Sequence, residues 1–342
     1  MKPLAVASAL AAAFLFGAST PAAKALTGDL HPVLLAGLLY AGSGVGLAAW
    51  ATLGRRRTGL RRADLPWLAG AIASGGVLGP VLLMVGLAAT SAANASLLLN
   101  LEGVFTALLA WFAFKENFDR RIALGMALIV AGGALLAFEP RAAAGAYGGA
   151  AAIVGACLAW GIDNNLTRRI SAADAAWIAS LKGLVAGGVN LTIAAAVGAS
   201  WPAAAKAAAA LGTGFLGYGM SLALFVVALR ELGAARTGAY FSAAPLAGVL
   251  IALLVLGEST GPLFWPAAAL IAAGIWLHIS EHHEHEHTHE PLEHEHRHVH
   301  DAHHQHAHAP GWDGKEPHTH SHRHERLVHR HPHYPDIHHL HH

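Results

Sequence analysis

Ten apolar segments constrain this chain more than any other feature. They run over residues 4–24, 32–53, 66–88, 92–114, 120–138, 148–167, 175–199, 208–229, 235–256 and 262–279. A helix rises 1.5 Å per residue, so a hydrocarbon core takes roughly 17–25 apolar residues to cross. The connections between segments are short. Of the 342 residues, 54% are hydrophobic and only 13% charged, against about 25% charged in a soluble domain. A globular core of ten such segments would have no surface to present to water. The pattern therefore implies an all-α integral membrane protein with ten transmembrane helices. Pro66 and Pro262 stand where helices should begin, a position that suits proline. Glycine is abundant, and small residues let helices approach closely in lipid.

Composition also excludes several function classes. The formal net charge is +1, so the chain carries no nucleic-acid footprint. Cys157 is the only cysteine, which rules out an internal disulfide framework, and its apolar surroundings imply a buried, inert thiol. There is no nucleophile elbow, phosphate loop or HExxH motif, so an enzyme is not expected.

Lysine and arginine set the orientation. The connection "GRRRTGLRRAD" holds Arg55, Arg56, Arg57, Arg61 and Arg62 and is assigned to the cytoplasm. Alternation from there places Lys2, Lys115, Arg120, Arg121, Arg168, Arg169, Arg230 and Arg236 inside as well. Only Lys24, Arg141 and Lys206 fall outside, with Lys182 inside a span. Both termini are then cytoplasmic, in the inner or plasma membrane.

Sliding the chain against itself by 142 residues brings two halves into register without a gap. Glu116 in "FKENF" falls on Glu258 in "LGEST", Gly132 on Gly274, Gly75 on Gly217, and Ala92-Ala93 on Ala234-Ala235. Gly17-Ala18-Ser19 falls on Ala159-Trp160-Gly161. The first segment ends in Ala23-Lys24-Ala25, which mimics a signal-peptide cleavage site, but its mid-chain partner implies a retained span. Each half holds five spans. An odd number inverts the second copy relative to the first, the architecture of alternating-access transporters with a midplane site. The expected organisation is a first repeat over 1–139, a second over 147–279, and a tail over 280–342.

Residues 1 to about 279 resemble the EamA-type members of the drug/metabolite transporter superfamily. The resemblance rests on "FGASTPAAKAL", on "SAANASLLLNLEGVFTALLAWFAFKENF" and on "LGAARTGAYFSAAPLAGVLIALLVLGES". A glutamate ending the fourth and ninth segments before a short turn is its most specific part. The resemblance implies ten helices in two five-helix repeats, cytoplasmic termini, and export or exchange of small metabolites, amino acids or drugs. It does not imply one substrate. The fourth segment departs from its repeat partner in carrying Glu102 where the ninth has Ala244.

Glu102 lies near the middle of the fourth segment. A carboxylate at the bilayer centre costs about 2.5–3.5 kcal/mol on insertion scales, so it should face a cavity or a partner. It reads either as a protonatable coupling or substrate-binding group, or as a hydrogen-bonded structural carboxyl. Lys182 in "IASLKGLVAG" can pair with Glu102, bind an anionic group, or snorkel. Asp163, Asn164 and Asn165 in "GIDNNLTRR" either line the cytoplasmic mouth of a cavity or satisfy free backbone groups at a helix end. Asn94 is a further substrate candidate, though Asn94, Asn100 and Asn190 also suit hydrogen bonding between helices. Pro21, Pro80 and Pro245 fall within spans as static kinks or hinges. Trp201, Trp265 and Trp276 read as interface anchors.

The tail is of different chemistry. Of 26 histidines, only His31 and His278 precede residue 280. In "HEHRHVHDAHHQHAH" alternate histidines share a face of an extended chain, and imidazole binds Zn, Ni and Co well. The ligand candidates are His282, His283, His285, His287, His289, His294, His296, His298, His300, His303, His304, His306 and His308. With five prolines and few large apolar residues, the tail cannot bury a core and is expected to be disordered without metal. No cofactor is required by the reading; Zn, Ni or Co on the tail is its one cofactor expectation.

Two function classes stay open. One is a secondary transporter of a small organic metabolite, with a metal-binding cytosolic tail as accessory. The other is a Ni, Co or Zn transporter that uses the tail to gather metal. The spans before His278 contain no histidine and no soft-ligand cluster, which favours the organic substrate. The expected partners are that small molecule, the lipid bilayer, divalent transition metals at the tail and, as a further option, a second copy of the chain.

Overall fold

A computed structural model of the chain describes residues 3–54, 59–114, 120–137, 146–170, 174–232, 240–241 and 243–279, and in the tail 284–289, 292–298, 318–324 and 327–332. It divides into a body up to Ser280 and a tail from Glu281.

Helices occupy all ten apolar segments. They are α1 (Pro3–Thr27), α2 (Pro32–Leu53), α3 (Leu65–Ala71), α4 (Gly79–Ala89), α5 (Ala92–Leu98), α6 (Leu101–Phe114), α7 (Arg120–Ala137), α8 (Ala146–Arg168), α9 (Ala175–Ala196), α10 (Ala204–Gly214), α11 (Ser221–Leu232), α12 (Ala244–Leu254) and α13 (Phe264–Ile279). Among the described residues, six helical runs are long and apolar enough to cross a membrane, and three shorter apolar helices lie at 123–136, 244–254 and 264–277. Outward-facing side chains are apolar too: Phe112, Leu250, Leu254 and Trp265 are all exposed. Such a surface suits a hydrocarbon environment. Trp201, Trp265 and Trp276 are exposed on the body.

Three spans are interrupted, each with a visible cause. Between α3 and α4 the chain makes a π-helical turn, Ile72–Leu78, and between α10 and α11 a second one, Phe215–Met220. A π turn leaves backbone carbonyls without their usual i+4 donors. Pro245 stands in the first turn of α12, where the missing amide costs no hydrogen bond; Pro80 follows closely on the first π turn and has no amide to offer the carbonyls behind it, and Pro21 lies inside α1. The fourth segment breaks at Leu99–Asn100, where the Asn100 side chain turns back to the Leu97 carbonyl at 2.9 Å. Asn100 therefore closes a local turn rather than bridging helices.

The helices pack through small residues. α2 runs along α9, α7 along α13, α8 against α4 and α6, and α1 against α11 and α12. A Cβ on Gly132 would stand 2.6 Å from Ile271 Cγ1 and 2.8 Å from the Ala267 carbonyl oxygen. A Cβ on Gly274 would stand 2.6 Å from the Gly125 carbonyl oxygen and 2.7 Å from Ile129 Cγ1. α7 and α13 thus meet glycine to isoleucine in both directions. Cys157 is fully buried, its thiol facing the Leu98 carbonyl at 3.6 Å.

In the tail, the described residues form four short strands: β1 (Glu284–His289), β2 (Leu292–His298), β3 (His318–His324) and β4 (Leu327–Pro332). β1 pairs antiparallel with β4 and β2 with β3. This departs from the expectation of a structureless segment. Pairing satisfies backbone amides and carbonyls without needing a core, and the period-two alternation of histidine suits an extended chain.

The α7–α13 contact yields a stability prediction. Gly132→Leu forces a branched side chain into backbone and Ile271, and overpacking of this kind costs about 1–3 kcal/mol. Thermal unfolding of the detergent-solubilised protein should show a lower midpoint, whereas Gly212→Ala, within α10 and with nothing within 4 Å of its added Cβ, should not lower it.

Candidate functional site

Helix interruptions and polar side chains converge on one cavity of about 260 Å³ inside the body. The break before α6 sets Glu102 in the first turn of a half-helix, whose aligned peptide dipoles favour an anion. Its side chain remains partly accessible and lines the cavity with Asp163 and Asn164. Asn164 Nδ2 donates to Glu102 Oε1 at 2.9 Å and to Thr106 Oγ1 at 3.1 Å. Thr106 Oγ1 in turn donates to the Glu102 carbonyl at 2.8 Å. α6 and α8 are tied a second time by Asn165, buried, whose Nδ2 donates to the carbonyls of Thr106 (3.1 Å) and Gly161 (2.8 Å).

Lys182 on α9 does not pair with Glu102. Its ammonium lies 2.5 and 2.6 Å from the two Asp163 oxygens and 3.3 Å from Thr167 Oγ1. Thr167 Oγ1 also donates to Asp163 at 2.9 Å. Both ions are largely buried, and a buried pair is tolerable only with such added hydrogen bonds. Asp163, Asn164 and Asn165 sit within α8 rather than beyond its end, so they do not cap a helix. The charge of Lys182 is spent on Asp163. Among the described residues no cation stands within contact of the Glu102 carboxyl group.

The π turn of the third span holds two of the cavity's wall residues, Tyr40 and Trp160, in place. The Gly75 carbonyl accepts from Tyr40 Oη at 2.8 Å and from Trp160 Nε1 at 2.9 Å, and the Gly76 carbonyl from Asn190 Nδ2 at 3.2 Å. In lipid a freed carbonyl needs a protein donor, and these bonds lock α2, α8 and α9 against it. Asn190 is therefore a link between helices, as expected. Gly75 is required here because a Cβ would run into the Asp163 side chain.

The aromatic residues of the cavity carried no signal in the sequence. Tyr40, Tyr218, Phe16, Phe241 and Phe225 form a chain of ring contacts with centroids 5.7, 5.9, 5.4 and 4.9 Å apart, and all five line the cavity with Trp160. A tyrosine hydroxyl in hydrocarbon needs a partner, but that need does not say whether the ring faces a core or a cavity. Asn94 lies elsewhere, in the first turn of α5, its backbone amide capped by Ser91 Oγ at 3.1 Å. Glu258 proves to be a cap as well. Its carboxylate accepts from the backbone amides of Ala92 (2.8 Å) and Ala93 (2.9 Å) at the start of α5, a favourable place for an anion.

Of the tail histidines, His285, His287, His289, His294, His296 and His298 lie in β1 and β2. His282, His283, His300, His303, His304, His306 and His308 lie outside the described residues. Among the described residues no group of three or more histidine, cysteine or acidic side chains is gathered as a metal would need.

The chain is similar to known proteins over the body. A family model described as the EamA-like transporter family matches residues 3–138 and 148–280. An "Uncharacterized transporter" of Methanothermobacter thermautotrophicus (strain ATCC 29096 / DSM 1053 / JCM 10044 / NBRC 100330 / Delta H) is 27% identical over 244 residues, covering 66% of this chain and 71% of that protein. A solved structure described as "Crystal structure of protein" aligns with a TM-score of 0.58 at 19% identity, over 80% of this chain and 95% of that one. At that identity the likeness speaks for the fold alone.

The buried ion pair gives the second prediction. Lys182→Met leaves Asp163 charged and unpaired and should cost about 3–5 kcal/mol, while the double variant Asp163→Asn with Lys182→Met should recover most of that loss. Thermal or denaturant unfolding of the two variants measures the difference.

Proposed function

The chain belongs to the EamA-like transporter family, and we propose that it is a secondary transporter that moves a small organic metabolite, amino acid or drug through the Glu102 cavity by alternating access. It is a multi-pass membrane protein and not an enzyme. The observation that carries the reading is the cavity itself: lined by aromatic rings, with a few convergent polar groups, and located at helix breaks. Sites of that composition are typical of small-molecule binding, and discontinuous helices characterise transporter midplanes. Export or exchange is the direction proposed.

Ten spans in two inverted five-helix repeats form part of the proposal. Several features recur at the 142-residue offset. The two π turns fall in the third helix of each half. α6 begins at Leu101 and α12 at Ala244, close to one repeat apart. The Gly132–Ile271 and Gly274–Ile129 contacts are reciprocal under the same shift. Cytoplasmic termini in the inner or plasma membrane follow from the arginine bias. Lys206 and Asp29, both assigned outside, meet at 2.8 Å, and Arg169 stacks on Trp67, both near the arginine-rich connection, at 5.5 Å.

The tail is proposed as a metal-binding accessory for Zn, Ni or Co. Its strand register sets His294 opposite His322, His296 opposite His320 and His298 opposite His318, with His285 opposite His331 and His287 opposite His329. Directly opposite residues in an antiparallel pair lie on the same face, so the pairing groups imidazole-bearing positions two by two.

Proteoliposomes containing the full chain should move a member of a metabolite panel, and Glu102→Gln should lower that transport at least tenfold while the protein remains folded. Deleting residues 281–342 should abolish Zn binding by the purified protein yet leave basal metabolite transport unchanged. If the full chain instead carries Ni, Co or Zn and the deleted chain carries nothing, the metal-transporter reading replaces this one.

A further inference from the structure

Resting on the transporter reading, we infer that the solute is an organic cation: an amine or ammonium on a compact aromatic or apolar body. The inference starts from charge. Two carboxylates line the cavity, Glu102 and Asp163. Lys182 holds both oxygens of Asp163, which neutralises that pair. Glu102 is held only by neutral groups, chiefly the Asn164 amide. One carboxyl group therefore faces the cavity with no protein cation in contact with it, and a cationic solute would supply that contact.

Each alternative class meets a physical obstacle. A carboxylate or phosphate solute would enter beside Glu102, and the cation that could receive it is already committed to Asp163. A neutral apolar solute offers Glu102 no charged partner, so the carboxyl group would have to take up a proton and would contribute little to holding that solute. A zwitterion would carry its own anion into the same obstacle. A cation meets Glu102 directly.

The walls suit the same class. Tyr40, Tyr218, Phe16, Phe241 and Phe225 form a continuous row of rings. The negative face of an aromatic ring attracts a cation within about 6 Å of its centroid, and the attraction is strongest in a desolvated site. Several rings meet at steep angles, 82° for Phe16 with Tyr218 and 70° for Phe225 with Phe241, so faces and edges both border the space. The rings also offer stacking partners to an aromatic body. A cavity of about 260 Å³ lies just under the roughly 300–1,000 Å³ of drug-sized sites, which limits the solute to a small one.

The experiment compares three probes of one shape on the purified full chain: benzyltrimethylammonium, benzyl alcohol and benzoate. Binding is read by isothermal titration, and each probe is also tested for uptake into proteoliposomes. The cation is expected to bind at least tenfold more tightly than either of the others. Glu102→Gln should cut its affinity about tenfold and leave benzyl alcohol unaffected, and Phe241→Leu should weaken the cation several-fold. Glu102→Asp, which keeps the charge, should retain cation preference if the amide variant fails to fold. Equal or tighter binding of benzoate or benzyl alcohol overturns the inference, as does unchanged cation affinity in folded Glu102→Gln. Transport of an anionic or neutral metabolite without any cation binding sinks the substrate class and leaves the transporter reading standing. Failure of the liposomes to move any solute would instead remove the transporter reading.

Discussion

The Gly75 carbonyl is the point on which much of this body depends. Across the π turn its donor would be the amide of residue 80, a proline without one, and hydrocarbon offers no water in exchange. Two side chains from other helices, Tyr40 and Trp160, supply the missing hydrogen bonds. Those same residues then become walls of the cavity. The absence of a side chain at Gly75 admits Asp163 beside it, and Asp163 in turn accepts Lys182. One local departure from α-helical geometry thereby draws in three helices and places an ion pair next to a carboxyl group that no protein cation contacts. Structural and functional polarity are arranged side by side, and the difference between Asp163 and Glu102 is which of them has been given a protein cation.

Small residues make that arrangement possible. With little hydrophobic drive between helices in lipid, packing depends on close approach and on hydrogen bonds across the contact. Glycines at the α7–α13 contact serve approach. Asn165, Asn190 and Ser221 serve the bonds: Ser221 Oγ, for example, donates to the Ala12 carbonyl at 2.8 Å across α11 and α1. Glu258 adds a charged version of the same device at the start of α5.

The fold of the body was readable because bilayer thickness is a strict ruler. α2 has the bounds that hydropathy suggests, 32–53, and α9 and α13 differ from theirs by only a few residues at one end. The site was readable only in its charged part. Glu102, Asp163 and Lys182 stood out because ionisable groups are rare and costly inside a membrane. Their pairing did not: Lys182 could have met either carboxylate, and a helix–helix crossing decided for Asp163. Phe16, Tyr218, Phe225 and Phe241 were invisible, since an aromatic ring in an apolar segment has the same pattern whether it faces lipid, a core or a cavity. The π turns were equally hidden. Nothing in "IASGGVL" distinguishes a π turn from an ordinary glycine-containing helix.

Helix α1 has a consequence for how the chain comes to be assembled. Its main neighbours are α11 and α12, which begin at Ser221 and Ala244. At synthesis rates of about 5–20 residues per second, roughly 10–40 s separate the emergence of α1 from that of α11. During that interval α1 has to wait in the bilayer without the helices it will finally lie against. Its small and polar residues, Gly17, Ser19 and Thr20 among them, spend that time facing lipid or temporary neighbours. Biogenesis of this protein therefore includes a long-lived incomplete bundle, and a quality-control system of the membrane would meet that species on every molecule made.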